Sequence, residues 1–96
     1  MFDYLIQNGT LIDGTGAPAA AGDVAIKDGK IAAVGDLKDA SAGTVLDAAG
    51  KYVTPGFIDI HRHAVAALFR PHFGGLELEQ GLTTIVNGNC GLSVTP

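Results

Sequence analysis

Through about residue 54 the chain is written as short apolar runs separated by glycine-bearing turns. In residues 3–13, DYLIQNGTLID, two β-type runs flank Asn8-Gly9, a dipeptide that suits the positive-φ positions of a tight turn, and the pattern predicts a hairpin. The pattern returns in DVAIKDGKIAAVG, where Val24 and Ile26 alternate ahead of Asp28-Gly29, and Ile31 and Ala33 follow it, predicting a second hairpin. A third pair of runs, TVLDAAGKYVTPG, brackets Gly50, and Pro55-Gly56 then marks a change of direction. From Pro55 the grammar changes. GFIDIH reads as a buried-type strand and the β-branched TTIVN as another, and the segment from Ala64 to Leu82 between them is long enough for a parallel crossover. GLELEQG, ending at Gly81, is the predicted helix of that crossover. The expectation is a mainly β fold with a short βαβ unit: hairpins over residues 1–54, then strand, crossover and strand over 55–96.

One motif invites a different reading. Gly14-Thr15-Gly16-Ala17-Pro18-Ala19 has the spacing G-x-G-x-x-A after a strand, but a dinucleotide site opens a helix there, whereas Pro18 and a further hairpin follow here. It is read as a turn.

Composition narrows the function classes. A chain of 96 residues makes one domain at most and a thin core, because much of its 47% apolar content is alanine. The net charge of -4, with scattered Lys and Arg, leaves no basic stripe for nucleic acid or an anionic membrane surface. The longest apolar run, Ala64 to Phe69, falls far below the roughly 20 residues that cross a bilayer. Asp3 stands where a signal peptide carries basic residues, so the expected compartment is the cytoplasm. Cys90 is the only cysteine, which excludes an internal disulfide and raises the question of a thiol used for metal.

The candidate chemistry lies in GFIDIHRH. Strand alternation puts Phe57, Asp59, His61 and His63 on one side and Ile58, Ile60 and Arg62 on the other, so both imidazoles face the same way. Two residues of strand separate them by roughly 6.6 Å along the chain, close enough for suitable rotamers to bring both onto one ion. They stand at the C-terminal end of a strand opening a parallel unit, where α/β enzymes build their sites. On these residues alone, two polar side chains at a strand end remain an equal alternative. Cys90 adds weight: it ends the next predicted strand, neighbouring strands lie about 4.8 Å apart, and Gly88 and Gly91 permit close backbone approach. A lone cysteine is more often a small buried hydrophobe, but beside an H-x-H pair it becomes a candidate ligand. Imidazole and thiolate together favour zinc. For Asp59 two roles stay open, orienting a ligand or capping backbone amides, and Arg70 and His72 read as loop residues.

VTPGFIDIHRH resembles the first barrel strand of the amidohydrolase superfamily, and GLTTIVNGNCGLSVTP is similar to the second-strand region of the N-acyl-D-amino-acid deacylases, or D-aminoacylases. DYLIQNGTLIDGTGAP and VAIKDGKIAAVG resemble the N-terminal β-sandwich of that superfamily. The resemblance implies part of a β-sandwich followed by the first two strands of a metal-dependent TIM-type barrel. It implies that His61 and His63 bind one metal position and Cys90 the neighbouring one, usually zinc, for hydrolysis of an N-acyl-D-amino acid by a water activated on metal. None of the three would be the general base. Where the deacylases tend to carry acidic residues after H-x-H, this sequence has Ala64-Val65-Ala66. The family's later ligands, its aspartate base and its substrate-binding arginine fall outside these 96 residues, so the expectation for the chain alone is inactivity, with self-association or a further length of chain covering its open edges. The alternatives are a non-catalytic β module acting by self-association, and a cyclic-amide hydrolase of dihydroorotase or hydantoinase type.

Overall fold

The computed structural model describes residues 1–92; residues 93–96, the end of the second predicted segment, lie outside the described residues. The chain divides into two compact units, Met1–Pro55 and a second from Gly56 onward. The secondary structure is mostly β, with one short helix.

The first unit is a five-stranded mixed sheet in the order β3-β2-β1-β4, with β5 also on β1. Its strands are β1 (Phe2–Leu11), β2 (Ala20–Lys27), β3 (Lys30–Gly35), β4 (Ala42–Asp47) and β5 (Tyr52–Val53). The second predicted hairpin is present: β2 and β3 pair antiparallel through Lys27 and Lys30, and Asp28 and Gly29 both take positive φ, as a two-residue turn requires. Asp3 secures it, accepting from the Asp28 amide at 2.7 Å and pairing with Lys27 at 3.2 Å, and these contacts, the amide first, hold its carboxyl below the usual range.

The first predicted hairpin is not a hairpin. Asn8-Gly9 lies inside one continuous strand, where Ile6 pairs Val24 and Gly9 pairs Gly22, so β1 carries one extra residue and Asn8 sits at φ 63°. A bulge replaces the turn because partners on three strands claim β1. Asp23, only 8% exposed, accepts the Asn8 amide at 2.9 Å, and the Asn8 side chain donates to Asp47 at 3.0 Å. The third predicted pair also differs. β4 and β5 do not pair with each other; both run parallel to β1 in succession, β4 along Phe2–Gln7 and β5 along Thr10–Leu11. The Gly50 turn therefore steps the chain along one strand. Around Leu5, fully buried and opposite Ala25, these strands build the small core of the unit. The G-x-G-x-x-A stretch is the connection between β1 and β2, tightened by Asp13 accepting from Thr15.

The second unit is the expected strand, crossover and strand. β6 (Phe57–Arg62) and β7 (Leu82–Asn87) pair in parallel, joined by a 3₁₀ turn at Val65–Ala67 and by α1 (Gly75–Glu79) within GLELEQG. Arg62 ties the strand to that helix through Glu77. No helix among the described residues is long and apolar enough to cross a membrane.

Candidate metal centre

β6 delivers His61 in its last turn of pleat and His63 just beyond its end, while Cys90 follows β7 by three residues. The parallel pairing therefore brings all three to one end of the sheet. One donor atom from each of His61, His63 and Cys90 lies within 4.8 Å of the others, and all three side chains are exposed. The Cys90 sulfur is 3.7 Å from His63 Nε2, and the two imidazole centroids are 5.3 Å apart at an interplanar angle of 63°. Zinc bonds of about 2.0–2.3 Å set neighbouring donors in one tetrahedral shell roughly 3.5 Å apart, so the sulfur-to-nitrogen distance fits a zinc-sized ion. Two nitrogens and one sulfur are also the donor chemistry that zinc prefers to the hard cations.

Asp59 is elsewhere. The ladder pairs Asp59 with Ile85 and Arg62 with Asn87, so β6 carries one more residue than β7 between those rungs. This bulge breaks the simple alternation of the sequence reading. Asp59 meets Arg62 at 3.5 Å, a residue that regular alternation assigns to the opposite face, and its other oxygen accepts the His61 amide at 3.1 Å. Of the two roles left open, the carboxylate caps a backbone amide; its contacts are with Arg62 and that amide, and neither is with an imidazole.

Two asparagines that the sequence reading passed over hold the strand ends together. Asn87 accepts the Ala64 amide at 2.9 Å, and Asn89 donates to the Ile60 carbonyl at 2.8 Å. The available signal was the polar pair in NGNCG, placed where a β-branched strand stops. Arg70 and His72 lie in the connection to α1 and, with His63, line an open cavity of about 280 Å³. Ala64 and Val65 are buried at 5% and 7% exposure and start the crossover as a packed turn.

No family model matches the chain. It is 46% identical over 95 residues to a D-aminoacylase of Alcaligenes xylosoxydans xylosoxydans, an alignment covering 99% of this chain and 20% of that relative. Among solved structures, the N-acyl-D-glutamate deacylase of Bordetella bronchiseptica, complexed with zinc and a phosphonate inhibitor mimicking the tetrahedral intermediate, superposes with a TM-score of 0.92 at 44% identity over 99% of this chain and 20% of its own. A D-aminoacylase described as defining a subset of amidohydrolases superposes equally well, at 48% identity over all of this chain and 20% of its own. The chain is a homologue of D-aminoacylases. It spans about one fifth of the length of these relatives and aligns with their N-terminal portion. The H-x-H sequence starts on β6 at His61 and ends at His63, one residue past the strand.

Proposed function

We propose that this chain contributes ligands to the zinc centre of an amidohydrolase that cleaves the amide bond of N-acyl-D-amino acids, with His61, His63 and Cys90 as those ligands. The observation that carries the reading is the convergence of two imidazoles and a thiol, from separate strands, within 4.8 Å at the C-terminal end of a parallel pair. Residues 1–54 then form part of a β-sandwich, and residues 55–96 the first strand-helix-strand of a (β/α)8 barrel, whose sites gather at the C-terminal ends of its strands. A thiol kept exposed as a ligand suits a reducing compartment, the cytoplasm. Zinc, when bound, supplies the Lewis acidity that polarises an amide carbonyl and activates water. The chain's own residues hold and orient. His61 and His63 present their rings from consecutive outward positions, and Cys90 closes the set from the loop after β7. Their lone pairs are committed to ligation, so the proton transfers of hydrolysis fall to groups outside this set. The cavity beside His63 leaves room for part of a small acyl substrate.

Metal analysis of the purified protein tests the site. Zinc is expected in the wild type and lost in the His61→Ala, His63→Ala double variant; equal zinc in both counts against it. Assays of a longer chain that carries the rest of the barrel, with N-acetylated D- and L-amino acids, test the substrate, with hydrolysis expected only in the D-series. Turnover of a cyclic amide without any D-series hydrolysis overturns that assignment.

A further inference from the structure

Two side-chain hydrogen bonds from the β7 end bracket the segment that carries His61 and His63, and the second asparagine immediately precedes Cys90. The ligand segment runs from His61 on β6 to His63 just past its end; Ile60 immediately precedes it and Ala64 immediately follows it. Each of these two residues gives one backbone group to an asparagine from the β7 end: the Ile60 carbonyl accepts from Asn89 at 2.8 Å, and the Ala64 amide donates to Asn87 at 2.9 Å. Asn89 is also the residue before Cys90. The Ile60 bond falls inside the ladder slip between Asp59 and Arg62 and the Ala64 bond lies two residues past it, so side chains join the strands on and just beyond the irregular register. Chemistry fixes the orientation of both amides, because a carbonyl demands the NH₂ group of Asn89 and an N–H demands the oxygen of Asn87.

We propose that Asn87 and Asn89 are positioning residues for the metal centre: together they set the distance between the Cys90 thiol and the imidazoles of His61 and His63. This rests on the metal reading above. A bulge lets a strand end move relative to its partner, and a ligand set out of position by half an ångström loses affinity, as happens when groups supporting metal ligands are removed. The opposite polarity of the two bonds makes the role separable from general loop integrity. Asp at position 87 keeps the acceptor that the Ala64 amide needs, whereas Asp at position 89 replaces a donor with an acceptor aimed at the Ile60 carbonyl.

The experiment is cobalt(II) titration of the protein, read in the thiolate-to-cobalt charge-transfer band, with thermal unfolding of each metal-free variant alongside. Asn87→Asp is expected to bind at least as tightly as wild type, with the thiolate band intact. Asn89→Asp, Asn89→Ala and Asn87→Ala are expected to bind about 10-fold more weakly or worse, with a diminished thiolate band. Added negative charge by itself strengthens cation binding, so a loss in Asn89→Asp has to come from geometry. The uncharged Asn89→Ala keeps the test open if the Asp variant does not fold. A wild-type protein with no thiolate band overturns the metal reading and this role with it. A normal wild-type band with unchanged Asn89 variants, or equal losses in the two Asp variants, overturns the positioning role alone.

Discussion

At Asp59 one inserted residue changes which side chains meet. Alternation along GFIDIHRH brings the His61 and His63 rings together, with centroids 5.3 Å apart, but the bulge between Asp59 and Arg62 turns the Asp59 carboxylate to Arg62. Residue type was legible in the sequence; the partner was not, since a bulge depends on what the neighbouring strand offers. Asp23 shows the same limit in the first unit. Nothing in DVAIK marks it as structural, yet it is buried and accepts the amides of Asn8 and Leu37, each at 2.9 Å. Asp23→Ala leaves both N–H groups without an acceptor and is expected to destabilise the protein by about 3 kcal/mol, measured from the denaturant midpoint. A change within a few tenths of that zero would show that water replaces the carboxylate at no cost.

Among the elements, those that local chemistry dictates are the ones the sequence made legible. Asp28-Gly29 produces its turn because both residues accept positive φ and the flanking strands need only each other. Asn8-Gly9 has the same local preference and becomes a bulge, because β1 is paired along both edges and a turn there would break three sets of ladder bonds. Glycine at position 9 still serves, since a Cβ there would lie 2.6 Å from Val53. The entry to β6 has its own steric requirement. A Cβ on Gly56 would lie 2.1 Å from the Thr83 hydroxyl oxygen and 2.7 Å from its Cβ, where β7 carries an extra residue opposite β6. Gly56→Ala is therefore expected to cost about 2 kcal/mol or more in thermal or chemical unfolding, with recovery when Thr83→Gly is added. A single variant as stable as wild type would mean that the strands separate there freely.

Across the whole molecule, burial is the quantity in short supply. Parallel strands are normally covered on both faces, yet Ile58 and Ile60 on β6 are 61% and 66% exposed, and Leu76 and Leu78 of α1 remain open too. In the first unit Ile31, Val34 and Val45 are likewise exposed. These 96 residues by themselves are expected to associate with rising concentration in sedimentation velocity and to hydrolyse no N-acyl-D-amino acid; a monodisperse monomer with deacylase activity would contradict both expectations. The amino-acid order alone determined the β character, the Asp28-Gly29 turn, the parallel crossover, and the three donors at the ends of two strands, because each follows from spacing and backbone preference along the chain. Tertiary structure alone decided that β1 runs unbroken through Asn8-Gly9, that β4 and β5 both join it in parallel, that Asp59 turns to Arg62, and that two asparagines tie the ligand loops together. Those outcomes depend on hydrogen-bond partners far away in the chain, and no local pattern carries that information.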